Sequence, residues 1–285
     1  MKGVEILKPG LYTTIQDLGR FGFSEYGVPI GGAMDQNSFL LANGLLNNDA
    51  ECAVMEWSLI PPVLQFHEDA IVSCTGASIY PKLNNQLLDS KTVLGIKKGD
   101  VLTFNICRYF MYGYVGILNG FQTDIVMNSR SFYNGITDKD KLGKGDILPF
   151  VKTSMTPKSN SNLKTPFTQN EVIDIDAFPG IEYNRLSERE QENLATKIFT
   201  VSNIRSRMAI QLQERLDNEL ATILTAPVLP GTVQLTPSGQ LIVLMRDCQT
   251  TGGYPRVLQL KEEAISKIAQ ISTNCMIKFN IKKHL

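Results

Sequence analysis

Short apolar runs, each cut off by a turn signal, dominate this chain and restrict it to a mainly β architecture. Val4 to Leu7, Val63-Leu64-Gln65-Phe66, Ala70-Ile71-Val72-Ser73-Cys74 and Leu241-Ile242-Val243-Leu244-Met245 are short for helices and rich in β-branched residues. The breaks between such runs predict hairpins: His67-Glu68-Asp69, then Asn84-Asn85 within Leu83 to Leu88. Two closely similar Gly-Asp turns follow, in Ile96-Lys97-Lys98-Gly99-Asp100-Val101-Leu102 and Leu142-Gly143-Lys144-Gly145-Asp146-Ile147-Leu148. Turns of this kind between apolar runs are typical of β-barrels. Phe110 to Leu118 reads as a central strand in which Gly113 and Gly116 mark bulges or close approaches.

Helical signal is confined to three short stretches, the last two of which predict helices covering barrel ends. Asp35 to Leu46 places Phe39, Ala42, Asn43 and Leu46 at helical spacing behind Asp35 as N-cap. Ser187 to Ile198 opens with Ser187-x-x-Glu190, a capping box. Lys261 to Ser272 lines up Ala264, Ile265, Ile268 and Ala269. Between the first two of these, Lys152 to Asn170 is rich in Ser, Thr, Asn, Pro and Lys and has little to bury. The expected organisation is a β-barrel-like domain over 1–152, a polar loop or linker over 153–170, and a second β-barrel-like domain over 171–285, with elements free to cross between barrels.

Composition narrows the chemistry. With 28 basic and 28 acidic residues the net charge is zero, which argues against nucleic acid or a polybasic membrane surface as partner. No apolar run approaches the ~18 residues of a spanning helix, and Met1 to Lys8 is too short and charged for a signal-peptide core. Cys52, Cys74, Cys107, Cys248 and Cys275 are dispersed and odd in number, as expected of reduced thiols in the cytoplasm. The only histidines are His67, which reads as a turn residue, and the penultimate His284. A multi-histidine metal site is unavailable, so no metal is expected, and a nucleophilic triad would rest on His67 alone. Catalysis is left to carboxylates, hydroxyls, amides, backbone N–H groups, Arg or Lys.

Three polar stretches supply such groups. The densest is Arg246-Asp247-Cys248-Gln249-Thr250-Thr251-Gly252-Gly253-Tyr254-Pro255, directly after an apolar strand. Its adjacent glycines suit positive φ and the close approach of another group. It reads equally as a tight polar turn or as a site. The second runs from Gly10 through Gln16-Asp17-Leu18-Gly19-Arg20 to Gly31-Gly32-Ala33-Met34-Asp35. Here Asp17 and Arg20 suit a salt bridge as well as catalysis. Gly31-Gly32 suits an anion at a helix N-terminus, unless Asp35 caps those N–H groups itself. The third is Ser202-Asn203-Ile204-Arg205-Ser206-Arg207-Met208, whose two arginines point the same way along a strand and suit either a carboxylate or phosphate clamp or a solvated face. There is no GxxxxGK[ST] phosphate loop.

Thr13-Thr14-Ile15-Gln16-Asp17-Leu18-Gly19-Arg20, Gly27-Val28-Pro29, Gly32-Ala33-Met34-Asp35, Ser38 and Ala42-Asn43 together resemble the opening of the biotin-dependent carboxyltransferase-like family, also called allophanate hydrolase subunit 2, KipA or the 5-oxoprolinase C component. Met55-Glu56, Ser129-Arg130-Ser131, Ser206-Arg207-Met208, Gly231-Thr232-Val233-Gln234, Pro237-x-Gly239 and Asp247-x-Gln249-Thr250-Thr251-Gly252-Gly253-Tyr254-Pro255 carry the resemblance through nearly the whole chain.

The resemblance implies two cyclophilin-like β-barrel domains. It implies a cytoplasmic, ATP-dependent 5-oxoprolinase that hydrolyses 5-oxo-L-proline to L-glutamate with a KipI-like B component, as a heterotetramer, and with an A component. ATP enters through the complex. The alternatives it implies are a urea amidolyase-like carboxyltransferase component served by a separate biotin carrier, and a non-catalytic KipA-like regulator. No Ala-Met-Lys-Met motif is present, so no covalent biotin is expected on this chain. On this resemblance Asp247, Gln249, Thr250 and Thr251 are expected to be catalytic. Gln16, Asp17, Arg20, Gly31, Gly32, Arg207, Gly252, Gly253 and Tyr254 are expected to bind substrate. The chain departs from the family pattern at Asp176-Ala177-Phe178-Pro179-Gly180, which lacks an Arg, at Ala209, at Leu212-Gln213-Glu214 and at Asn119-Gly120.

Overall fold

The structure is a computed structural model that describes residues 2–77, 80–88, 93–106, 110–152 and 171–282. The expected linker 153–170, Cys107 and His284 lie outside the described residues. The chain divides into two compact units, Met1–Arg20 with Gly31–Pro166, and Phe21–Ile30 with Phe167–Leu285. The ten-residue segment Phe21–Ile30 thus belongs with the C-terminal unit, although the sequence on both sides of it belongs with the first.

In the first unit the strands are β1 (Val4–Lys8), β2 (Tyr12–Gln16), β3 (Val54–Ser58), β4 (Val63–Phe66), β5 (Ala70–Gly76), β6 (Pro81–Leu83), β7 (Gln86–Leu87), β8 (Val93–Ile96), β9 (Val101–Phe104), β10 (Tyr112–Ile117) and β11 (Ile147–Leu148). They pair as two sheets, ordered β11-β1-β4-β9-β6-β7 and β2-β3-β10-β5-β8. Inward side chains of both sheets meet in one core, from Ile6, Leu64 and Phe66 on one side to Met55, Trp57, Val72 and Val115 on the other. Trp57 and Phe104 bridge the two sheets with ring centroids 6.0 Å apart.

Two expected hairpins are corrected by this topology. β4 pairs with β1 and β9, whereas β5 pairs with β10 and β8, so His67-Glu68-Asp69 carries the chain from one sheet to the other. The Lys97–Asp100 turn does the same between β8 and β9. A local turn signal fixes a reversal but not which sheet receives the next strand. The Asn84-Asn85 hairpin is present, joining β6 to β7 with both asparagines at positive φ. β10 runs without a register shift, so Gly116 marks a close approach and not a bulge. A Cβ there would lie 2.4 Å from Ser73 Oγ and 3.3 Å from the Ala42 carbonyl. That space admits helix α1 (Gln36–Leu45), which packs on β10, β5 and β3.

The second unit contains β12 (Val172–Pro179), β13 (Phe199–Arg205), β14 (Ala209–Arg215), β15 (Ala226–Pro227), β16 (Thr232–Leu235), β17 (Gln240–Leu244), β18 (Thr251–Gly252), β19 (Arg256–Leu260) and β20 (Met276–Ile281). Seven of these close a barrel in the order β12-β19-β16-β17-β14-β13-β20, with the parallel pair β12–β20 as its seam. Val201, Leu212, Val233, Leu235, Val243 and Phe279 fill it. Helix α2 (Glu188–Thr196) begins with the predicted Ser187–Glu190 capping box. Helix α3 (Glu262–Gln270) packs against β12 and buries Ala264, Ile265, Ile268 and Ala269, the predicted stripe. Its two isoleucines each contribute roughly 1.5–3 kcal/mol by leaving water. Among the described residues no helix is long and apolar enough to cross a membrane.

Candidate functional site

In the first unit the predicted polar residues are drawn together by strand β2 and the loop after it. Asp17 is 7 % exposed and Gln16 and Arg20 are fully buried. Asp17 Oδ1 accepts from Gly19 N (2.8 Å), Ser129 Oγ (2.7 Å) and Ser131 Oγ (2.6 Å), while Oδ2 accepts from Arg130 N (2.6 Å). Arg20 donates through a guanidinium nitrogen to the Ser131 carbonyl. The two residues therefore both grip the Ser129–Ser131 segment. Gln16 donates to Thr14 Oγ1 (3.0 Å) and to the Phe132 carbonyl (3.4 Å), and its Oε1 has no hydrogen-bond partner among the described residues.

Gly31 and Gly32 both have positive φ, at 69° and 88°. A Cβ on Gly32 would lie 2.7 Å from the Leu18 carbonyl oxygen, so this pair shapes the turn that brings residues 33–35 beside β2. The N–H groups that follow are engaged. Ala33 N donates to the Asp17 carbonyl (3.0 Å), Met34 N to Glu56 Oε2 (2.7 Å) and Asp35 N to the Tyr114 hydroxyl (2.8 Å). Asp35 itself caps α1 by accepting from Ser38 N (3.1 Å) and Ser38 Oγ (2.6 Å). Of the two readings left open by the sequence, the geometry gives the self-capped turn. Tyr114 completes the cluster by donating to Glu56 Oε2 (2.8 Å). Its burial, with the Glu56 and Asp35 carboxylates nearby, holds the phenol well above its ordinary range, so it stays a donor.

In the second unit the residues 246–255 lie over the outside of the barrel. Strand β18 pairs with β15, and the Thr250, Gly253 and Pro255 carbonyls accept from Val228 N, Ile223 N and Leu235 N at 3.1, 2.9 and 2.9 Å. A small apolar cluster of Val228, Leu244 and Cys248 lies beneath this ribbon. Gly252 and Gly253 do not have positive φ, contrary to the expectation from their adjacency. Gly252 is required by closeness alone, because a Cβ there would lie 2.4 Å from Gln234 Nε2 and 3.4 Å from Gln249 Nε2. Thr251 and Tyr254 are exposed, and Gln249, Thr250 and Gly253 are half-buried.

Asp247 and Arg207 form a bidentate pair, Arg207 Nε to Oδ2 at 2.7 Å and Nη2 to Oδ1 at 2.9 Å. Arg205 points elsewhere, donating to the Ala269 and Ile271 carbonyls at the end of α3. The two arginines thus do not point the same way, because β13 ends at Arg205 and strand alternation does not extend to Arg207. Burial and the adjacent Asp247 push the Cys248 thiol up to about 12, which removes it as a nucleophile at neutral pH.

Two further groups escaped the sequence. Glu182 receives Arg256 Nε (3.0 Å), Nη2 (2.8 Å) and N (2.9 Å), and these bonds hold its carboxyl below the usual range. Gln234 is 2 % exposed on the outer face of β16. The alternation Val233-Gln234-Leu235 signals an outward side chain but not that the 246–255 ribbon covers it. Among the described residues no group of three or more His, Cys, Asp or Glu is placed to hold a metal ion.

Comparison with known proteins bears on the whole chain. Residues 26–281 match the family model described as carboxyltransferase domain, subdomain A and B. The chain is 32 % identical to the C subunit of 5-oxoprolinase from Escherichia coli (strain K12) over 97 % of its own length and 90 % of that protein. It is 31 % identical, over the same shares, to the C subunit of 5-oxoprolinase from Haemophilus influenzae. The solved structure of K. lactis urea amidolyase superposes with a TM-score of 0.87 at 22 % identity, covering 97 % of this chain and 18 % of that one. The chain thus spans most of the bacterial proteins but less than a fifth of the amidolyase.

Proposed function

The chain belongs to the carboxyltransferase domain family, subdomains A and B, and from that premise we propose that it is the C component of a cytoplasmic, ATP-dependent 5-oxoprolinase. In this reading it hydrolyses 5-oxo-L-proline to L-glutamate together with a B component, with which it forms a heterotetramer, and an A component. The observation that carries the reading is the end-to-end alignment with proteins of that name, 97 % of this chain at 32 % identity. The chemistry suits the residues. A five-membered lactam resists water, so its amide is activated at the expense of ATP, and negative charge then develops on oxygen. Such charge is stabilised by donors already aimed at it. Gln249, Thr250 and Thr251 present an amide and two hydroxyls on a ribbon held by backbone hydrogen bonds on both sides. Asp247 and Arg207 position that ribbon and the turn facing it through their ion pair.

A second reading is carboxyl transfer from biotin borne on another protein, and the family model's own description favours it. One assay separates the two: ATP-dependent glutamate release from 5-oxo-L-proline by the partner proteins, with and without this chain and with and without a biotin carrier. Release that requires this chain and not biotin supports the hydrolase. Release indifferent to this chain defeats it, and a biotin requirement favours the transferase.

A further inference from the structure

A buried amide that satisfies none of its neighbours is costly unless something absent from the folded chain satisfies it. Gln234 is such a group. The residue is 2 % exposed, and its Nε2 has no hydrogen-bond partner among the described residues. A second amide, that of Gln249, stands near the same glycine and is half-buried, which gives the place an opening.

Gly252 lies between them. Leaving out its chain neighbours, the three atoms nearest to where its Cβ would be are Gln234 Nε2 (2.4 Å), Gln234 Cδ (3.4 Å) and Gln249 Nε2 (3.4 Å). The two nitrogens are therefore no farther apart than those two distances together. Any span below that limit lets one oxygen accept from both at about 2.9 Å from a position to one side of the line between them. Gly252 has an ordinary φ, so its missing side chain serves space and not backbone conformation. Ribbon β15–β18 fixes Gly252, and β16 fixes Gln234 in register with Ile242 and Arg256, so the arrangement is built and not incidental to a loose loop.

We propose that Gln234 and Gln249 form a two-donor seat for one trigonal oxygen of a small ligand, beside Gly252, whose lack of a side chain leaves room for the Gln234 amide. The oxygen is that of a lactam or ureido carbonyl or of a carboxylate. The seat deepens the proposed function and rests on it only for the choice of probes. Gln234 enters as a ligand-binding residue, a role the sequence motif containing it did not assign.

The test uses the purified full chain and four probes: 5-oxo-L-proline, 2-pyrrolidinone (lactam carbonyl alone), L-proline (carboxylate alone) and urea. Binding is followed by titration calorimetry and by thermal shift for wild type, Gln234→Met, Gln249→Met and Gly252→Ala. At least one probe is expected to bind wild type and to lose about tenfold in affinity with either methionine, the loss of roughly one hydrogen bond. Loss of 2-pyrrolidinone or urea but not L-proline assigns a carbonyl, and the converse assigns a carboxylate. Gly252→Ala should abolish binding. Without ligand, Gln234→Met should melt higher than wild type, because an orphaned amide gives way to an apolar side chain of similar size. A lower melting temperature, wild-type affinity in Gln234→Met, or binding of none of the four probes overturns the seat. Failure of the seat and failure of the proposed function are separable. Glutamate release unaltered by Gln234→Met sinks the seat alone, whereas Gln234-dependent binding by a chain that supports no glutamate release sinks the function alone.

Discussion

Asp17→Asn is expected to destabilise the first unit before it affects any chemistry. The carboxylate accepts four hydrogen bonds, three at Oδ1 and one at Oδ2. Asparagine preserves an oxygen for the first three. It places an NH₂ opposite Arg130 N–H, where donor now meets donor. One bond to a charged acceptor is lost, worth about 1.5–3 kcal/mol, and the remaining three become neutral. The expected loss is about 2 kcal/mol for Asn and about 3 kcal/mol or more for Asp17→Ala, which abandons all four donors. Trp57 is the sole tryptophan, is 1 % exposed and sits in the core of this unit, so its fluorescence reports unfolding there. With a urea slope of about 2 kcal/mol/M, the Asn variant's midpoint should fall by about 1 M at unchanged slope. A midpoint equal to wild type, with activity of the assembled complex lost, would refute the reasoning and place Asp17 at the substrate.

Arg207→Ala and Asp247→Ala should each cost about 3 kcal/mol in denaturant unfolding, since either leaves its partner charge without a bidentate bond at 8 % or 16 % side-chain exposure. Their double variant should cost clearly less than both together, and strict additivity would deny the coupling. Tyr114→Phe should cost about 1–3 kcal/mol by removing the hydroxyl between Asp35 N and Glu56 Oε2, again read at Trp57. Glu182 links stability to pH. Its folded pKa lies below the ordinary 4.5 because Arg256 bonds its charged form. The contribution is therefore complete above the unfolded value and disappears as pH falls through the depressed folded value. Glu182→Gln should lower stability at neutral pH and flatten its fall through the acid range; an acid limb identical to wild type would show the pair to be inert.

The sequence made most of the elements legible and few of their pairings. Capping chemistry is local, so Asp35 and the Ser187–Glu190 box placed α1 and α2 correctly. The apolar stripe of α3 is equally local. Strand partners are not: the turns at 67–69 and 97–100 look like hairpins and instead change sheets. The candidate site divides the same way. Gln16, Asp17 and Arg20 were marked by their density of polar atoms, but the serines that engage Asp17 lie more than a hundred residues away. Asp247 and Arg207 are forty residues apart, and Glu182 and Arg256 seventy-four. For Gln234 the local alternation Val233-Gln234-Leu235 marks only an outward side chain, because its burial comes from a ribbon that follows it in sequence.

The proposed function turns on whether the 249–252 ribbon faces the reacting lactam. Single-turnover glutamate release from 5-oxo-L-proline by the reconstituted complex, with Gln249→Ala in place of wild type, tests this most directly. Loss of one preorganised donor to a developing oxyanion predicts a rate lower by about 10²-fold, with wild-type assembly and an unchanged urea midpoint. A rate equal to wild type in a complex that assembles normally would contradict it.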